Sequence, residues 1–89
     1  MRRSTLALLL LASPLFADGG LASYVEGIDA IERGQYDAAV ASLSTAIQSE
    51  PENADFFTAR GVAFALSEHV AEAHKDLDRS LKLRPQHDE

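Results

Sequence analysis

A 34-residue period is the feature of this sequence that most constrains its fold. When residues 20–53 are aligned with residues 54–87, four positions are identical: Gly27 and Gly61, Ala39 and Ala73, Leu43 and Leu77, and Pro51 and Pro85. Small, packing and helix-terminating residues are the ones that a repeated structural unit needs at the same place in every copy. The period therefore predicts two copies of one supersecondary unit, which together occupy residues 20–87.

Each copy carries the apolar spacing of two helices. In the first copy, apolar residues recur at intervals of three and four along residues 21–31 and again along residues 36–47. Gly34 and Gln35 interrupt this pattern. Pro51 ends it, because proline lacks an amide hydrogen and disfavours helix at the preceding residue. The unit predicted is a helix, a tight turn, a second helix and a stop.

The second copy follows the same plan along residues 56–66 and 70–81, with a break near residues 67–68 and Pro85 as the terminator. Asn53 immediately precedes its first helix and is the expected N-cap, accepting a hydrogen bond from a free amide of the first turn. Gly27 and Gly61 fall within helices, where glycine costs about 1 kcal/mol relative to alanine. We therefore expect the two helices of each hairpin to approach closely at these glycines.

This arrangement resembles the tetratricopeptide repeat (TPR), a helix-turn-helix unit of the same length. The matching positions are Gly27, Gly34, Tyr36, Ala39, Leu43, Ala46 and Pro51 in the first copy, and Gly61, Phe64, Ala73, Leu77 and Pro85 in the second. The second copy departs from the family pattern with Glu68 for the turn glycine, Val70 for the turn tyrosine and Ser80 for an alanine. The resemblance implies an all-α fold in which two tandem hairpins form a short right-handed α-solenoid.

The resemblance also implies a function and a site. Members of this family are generally non-catalytic scaffolds that hold a peptide or a partner's helix on a concave surface lined by the first helix of each repeat. The partner-binding positions carried over to this sequence are Tyr24, Val25, Ile28, Ile31, Asp55, Thr58, Ala59, Val62 and Ala65. This surface is mostly apolar and favours an amphipathic helix or an extended hydrophobic peptide. Core packing is the alternative role for Ile28, Ile31 and Val62.

One subset of the family clamps a C-terminal carboxylate with lysine, asparagine and arginine side chains. Here the corresponding positions contain no lysine, and Arg60 is expected to face a neighbouring helix. Since capture of a free carboxylate relies on positioned cations or amides, a carboxylate clamp is not expected.

Residues 1–17 have the features of a bacterial secretory signal peptide. Arg2 and Arg3 precede an apolar run at residues 6–16, and Ala17 occupies the expected cleavage position. The run is shorter than the roughly 17 to 25 residues that span a bilayer. An uncleaved anchor or an ordinary core helix is the alternative. We therefore expect a periplasmic or secreted protein, with Gly19 and Gly20 as a linker and residues 18–89 as the TPR domain.

Composition and motifs disfavour several other functions. The formal net charge of −6 disfavours nucleic acid and anionic membrane, which attract basic surfaces. Without cysteine, the chain has neither disulfides nor thiolate metal ligands. His69 and His74 are too far apart around a helix to share a metal ion, and no phosphate loop or catalytic triad can be assembled. We expect no enzyme activity, no metal and no cofactor.

Two repeats are fewer than the three or so that a solenoid usually needs. The last helix has charged residues suited to exposure, namely Glu72, Lys75, Asp76, Asp78, Arg79 and Lys82, whereas the first helix presents an apolar face along residues 24–31. We expect that face to be covered by an exported protein partner or by a second copy. The leading function is an interaction module or adaptor of the bacterial cell envelope. The alternatives are a self-associating structural or assembly subunit of a larger envelope complex, and a remnant of a longer repeat protein.

Overall fold

The computed structural model describes residues 18–84, which form two helical hairpins. The helices are α1 (Leu21–Glu32), α2 (Tyr36–Ser49), α3 (Ala54–Leu66) and α4 (Val70–Leu83). Helix α1 packs on α2, α3 packs on α4, and α2 joins the hairpins by packing on α3, while α1 and α3 touch more lightly. The all-α fold and the two tandem hairpins are thereby confirmed. The predicted signal peptide, residues 1–17, and the terminator Pro85 lie outside the described residues.

Residues 18–84 contain no helix with the length and apolarity that crossing a bilayer requires.

The predicted N-cap of α3 is confirmed. The side-chain oxygen of Asn53 accepts hydrogen bonds from the amides of Asp55 and Phe56, at 2.9 and 3.3 Å. The side-chain amide of Asn53 donates to Glu50 Oε1 at 2.8 Å, so the cap is itself held by the end of α2. This pairing fixes the angle at which the second hairpin leaves the first.

The start of α1 contradicts the prediction that Gly19 and Gly20 form a linker. Gly20 is buried and has a φ of 86°, and a Cβ built on it would lie 2.9 Å from the carbonyl oxygen of Ala46 in α2. The Asp18 carboxylate accepts hydrogen bonds from the amides of Gly20 and Ala22, at 3.1 and 2.9 Å. Only glycine combines this left-handed backbone with such close approach to α2, so Gly20 belongs to the folded domain.

The expected close approach within each hairpin is confirmed. A Cβ built on Gly27 would lie 2.5 Å from Cγ of Leu43, and one built on Gly61 would lie 2.9 Å from Cγ of Leu77. Both leucines belong to the second helix of their own hairpin. The two mid-helix glycines therefore let each leucine side chain pack directly against the backbone of the partner helix.

The centre of the fold is built mainly from small residues. Leu43 is completely buried and clusters with four alanines, namely Ala30, Ala39, Ala59 and Ala63. Tyr24, Ile28, Ile31 and Val40 are partly buried against this cluster. Because alanine keeps helix axes close, Leu43 and these four partly buried side chains are enough to fill the space between three helices.

One predicted exposed charge is buried. Asp76 was expected on the charged face of the last helix, but only 5% of it is accessible to solvent. Arg60 of α3 donates to both of its carboxylate oxygens, from Nε at 2.7 Å and from Nη2 at 2.9 Å. Nη1 of the same arginine donates to Ser44 Oγ of α2 at 3.0 Å. The prediction for Asp76 was wrong because its partner is distant in sequence, whereas the prediction that Arg60 faces a neighbouring helix is confirmed.

Candidate partner-binding groove

The first helices of the two hairpins enclose a groove with a volume of about 320 Å³. Its lining consists of Tyr24, Ile28, Ile31, Glu32, Asp55, Thr58, Ala59 and Val62. Seven of the nine predicted partner-binding residues are thus brought together in one concavity. The remaining two, Val25 and Ala65, are exposed and do not line it.

Helical spacing places the α1 residues on one wall. Tyr24, Ile28 and Ile31 follow one another at intervals of four and three, so they share a face of α1. All three are partly buried against the alanine-rich centre. Each of them therefore packs partly against the core and also lines the groove, so core packing and exposure to the groove do not exclude each other at Ile28 and Ile31.

Two contacts fix the α3 side of the groove. The ring of Phe56, which is buried, stacks at a tilt on Tyr24 with centroids 5.1 Å apart. The hydroxyl of Thr58 is hydrogen bonded to Ser80 Oγ of α4 at 2.5 Å. Ser80, which stands where the family pattern has alanine, therefore links the groove wall to the second helix of its hairpin.

The charged groups of the groove are acidic. Glu32 lies at the C-terminal end of α1 and Asp55 in the first turn of α3, so a carboxylate stands near each end of the two parallel walls. The lining contains no lysine or arginine. Asp55 forms an exposed ion pair with Arg84, just beyond α4, while Glu32 forms no ion pair with any residue of the described range. The groove therefore combines an apolar floor with a negative end at Glu32, while Arg84 offsets the charge of Asp55 at the other end.

Glu32 was not among the predicted binding residues. It lies four residues after Ile28, on the same side of α1, and the helical spacing alone could have found it.

A second hollow, of about 680 Å³, lies over residues 49–53 in the turn between the hairpins. In its lining, the side chain of Asn53 is already hydrogen bonded to Glu50 and to the amide of Asp55 at the start of α3. Since these groups serve the turn itself, this hollow is less suited to a partner than the groove between α1 and α3.

The histidines do not form a metal site with other residues of the described range. His69 and His74 are both exposed, and Nδ1 of His69 lies 3.0 Å from Ser67 Oγ. Within residues 18–84, no group of three or more potential ligands is placed to hold a metal ion.

Comparison with known proteins gives one family. A family model described as tetratricopeptide repeat matches residues 24–88, a range that begins in α1 and includes both hairpins. No curated protein and no solved structure matches the chain.

Proposed function

The chain belongs to the tetratricopeptide repeat family, and we propose that it is a non-catalytic interaction module that binds a peptide or helix in the groove between α1 and α3. Tetratricopeptide repeats are in general protein–protein interaction modules. The observation that supports the groove as the site is its lining, in which apolar side chains from the first helix of each repeat converge on one concavity. Apolar grooves of this kind suit amphipathic or extended hydrophobic segments.

The charges of the groove narrow the chemistry of the ligand. Glu32 makes one end of the groove negative, whereas Asp55 at the other end is paired with Arg84, and no lining residue is a cation. Complementary charges favour association, and like charges across an interface oppose it. We therefore propose a ligand that places apolar side chains against Ile28, Ile31 and Val62 and carries a lysine or arginine near Glu32.

Peptide selection against the full chain tests this proposal. Peptides selected from a random library for binding to the wild-type chain should bind the Ile28→Glu variant at least tenfold more weakly, because a carboxylate would enter the apolar floor. Gln48→Glu on the exposed side of α2 introduces the same charge and serves as the control. Circular dichroism checks that both variants are folded. Equal affinity for the wild type and Ile28→Glu would exclude the groove as the binding site.

Export to the bacterial cell envelope is a separate part of the proposal. It rests on the charged start, apolar run and Ala17 of residues 1–17. Mass spectrometry of the protein from the periplasmic fraction of a bacterial host should find a chain that begins at Asp18. An intact N-terminus in the cytoplasmic fraction would contradict export, and an intact N-terminus in the membrane fraction would indicate an uncleaved anchor.

A self-associating assembly subunit is the second candidate function. The observation that favours it is the exposure of Leu21 and Val25 on α1, each 56% accessible. If this face joins two copies, sedimentation equilibrium at micromolar concentration should give a dimer or a larger species. The double variant Leu21→Ser and Val25→Ser should then sediment as a monomer. A wild-type monomer would remove this candidate.

A further inference from the structure

The outer face of α4 carries an uncovered stripe of three apolar residues and one histidine. Its members, spaced by four, three and four residues, are Val70, His74, Leu77 and Leu81. All four are exposed, and Val70 and Leu81 reach 60% and 56%. No residue of the range 18–84 covers this stripe. The charged residues predicted for this helix, apart from Asp76, are exposed as well. The α4 stripe, as we call these four residues, is therefore a candidate surface for a partner.

The first hairpin shows what covers such a stripe. The residues of α2 that lie 34 positions earlier are Tyr36, Val40, Leu43 and Ile47, and all of them are buried or half-buried. Helix α3 covers this part of α2, and its Ala59 and Ala63 cluster with Leu43. Arg60, which lies next to Ala59, donates to Ser44 Oγ of α2 at 3.0 Å. The covering helix thus supplies two small residues four positions apart and a cation that reaches the edge of the stripe.

The edge of the α4 stripe is better suited to binding a cation than the equivalent position in α2, where Ser44 accepts from Arg60. Asp78 occupies the position equivalent to Ser44, so a carboxylate replaces the hydroxyl that accepts from Arg60. Asp78 is exposed and forms no ion pair with another described residue. A hydrogen bond from arginine to a carboxylate is roughly twice as strong as one between neutral groups.

A second copy of this chain fits the α4 stripe poorly. Helix α1 is the equivalent of α3, and its residues at the positions of Ala59, Arg60 and Ala63 are Val25, Glu26 and Asp29. Stacking of α1 on α4 in the manner of α3 on α2 would bring Glu26 toward Asp78 and would bury Asp29. Like charges across an interface oppose association, and burial of the exposed Asp29–Arg33 ion pair carries a desolvation cost. Head-to-tail stacking of identical chains is therefore disfavoured.

We propose that the α4 stripe is a second docking surface, and that its partner is an amphipathic helix of another protein. That helix carries small apolar residues at positions i and i+4, and an arginine or lysine at i+1 that pairs with Asp78. The proposal does not depend on the groove between α1 and α3, because the two surfaces share no residue.

A peptide from this chain serves as the probe. A synthetic peptide of residues 51–69 contains α3 with its natural flanks and carries Ala59, Arg60 and Ala63 in the required order. It is titrated into the isotope-labelled full chain, and methyl NMR shifts are followed. We expect saturable shifts at Leu77 and Leu81, at least tenfold weaker binding for the Arg60→Glu peptide, and recovery of that binding on the Asp78→Arg chain. Asp78 is exposed, so this variant keeps the fold, which circular dichroism verifies.

Several results would overturn the proposal. One is the absence of saturable shifts at Leu77 and Leu81, and another is equal binding of the wild-type and Arg60→Glu peptides. A third is a set of shifts at Leu43, which would show that the peptide replaces the chain's own α3 on α2. Shifts confined to Ile28 and Val62 would also overturn it, while supporting the groove. Before peptide is added, concentration-dependent shifts at Leu81 would identify a second copy as the occupant, and contacts from residues 6–16 would identify the chain's own N-terminal run.

Discussion

The two hairpins share a backbone plan but differ in how much of their apolar surface is covered. Leu43 in α2 is 0% exposed, whereas Leu77 at the equivalent position in α4 is 36% exposed. Both leucines pack against a glycine of their own hairpin, so the difference comes from the neighbour on the other side. Helix α3 covers α2, while no described residue covers the equivalent face of α4. In a repeat protein, burial is set by the position of a unit in the stack as much as by its sequence.

The hairpins also differ in how their helices are held together. The second has the buried pair Arg60 and Asp76, and the first has Glu26 and Ser42 at the equivalent positions. The repeats differ in charge as well, since residues 20–53 contain six acidic residues and one basic residue, while residues 54–87 contain five of each. The second hairpin thus has an ion pair between its two helices at positions where the first hairpin has none.

The largest expected difference in unfolding free energy is between alanine variants of the two equivalent leucines. Leu43→Ala should destabilise the fold by about 3 kcal/mol, because it removes a buried side chain and leaves a cavity. Leu77→Ala should cost only about 1 kcal/mol, because water already reaches part of that side chain. Urea unfolding followed by circular dichroism measures both values. Equal costs would mean that the α4 stripe is covered in solution.

Loss of the buried ion pair is expected to have the next largest effect. Asp76→Asn should destabilise the fold by about 2 kcal/mol, since Arg60 would keep its charge in a mostly buried site without a carboxylate. Asp78→Asn is the matched control two residues along the same helix, and its effect should stay within about 0.5 kcal/mol because that side chain is exposed. The same unfolding experiment compares them. A cost for Asp76→Asn as small as the control's would show that the pair contributes little to the second hairpin.

Alanine variants of the two mid-helix glycines compare how tightly Leu43 and Leu77 are confined. Gly27→Ala should destabilise by about 1 to 2 kcal/mol, since its Cβ would lie 2.5 Å from Cγ of the enclosed Leu43, and strain exceeds the gain in helix propensity. Gly61→Ala should change stability by less than about 0.5 kcal/mol, because Leu77 has room to move toward solvent. Thermal and urea unfolding of both variants test this order. The reverse order would show that Leu77 is more tightly confined than Leu43.

Substitutions in the turns within the hairpins are expected to have the smallest effect on stability. Glu68 has a φ of 67° and Gly34 a φ of 77°, so the second hairpin places a side chain in a left-handed conformation that favours glycine. Glu68→Gly should raise stability by about 0.5 kcal/mol, or the melting temperature by roughly 2 to 4 °C, after the greater freedom of glycine in the unfolded chain is subtracted.

The companion change Val70→Tyr restores the aromatic residue found at Tyr36, and the double variant should melt higher than Glu68→Gly alone. Gly34→Ala is the reverse control, because it places a side chain at the turn position where the first hairpin has glycine. Its Cβ would meet no atom within 4 Å, so any loss of stability reports the backbone conformation alone. An unchanged or lower melting temperature of the double variant in a thermal melt would contradict this account of the second turn.

The sequence predicted the parts of this protein that depend on local spacing. Helix boundaries at the turn glycine, the proline and the Asn53 cap follow from backbone chemistry within a few residues. The groove positions on α1 and α3 were predicted from the family resemblance, and seven of the nine line one concavity. Their role in binding stays a prediction. The misplaced residues were those whose environment is made by distant segments, as with Gly20 against α2 and Asp76 against Arg60.

The repeat period, together with its glycines, its prolines and the helical spacing of its apolar residues, determined by itself that this chain folds as two helical hairpins. These hairpins resemble the tetratricopeptide repeat. Only the tertiary structure decided which apolar residues are covered, because coverage depends on which helix lies against which face. It separated the enclosed Leu43 from the accessible Leu77, which occupies the same position in the repeat. It also left Val70, Leu77 and Leu81 of α4 uncovered by any described residue, beside the exposed charged residues that the sequence had predicted for this helix. Spacing along the chain fixes the face of a helix, but only packing fixes what that face meets.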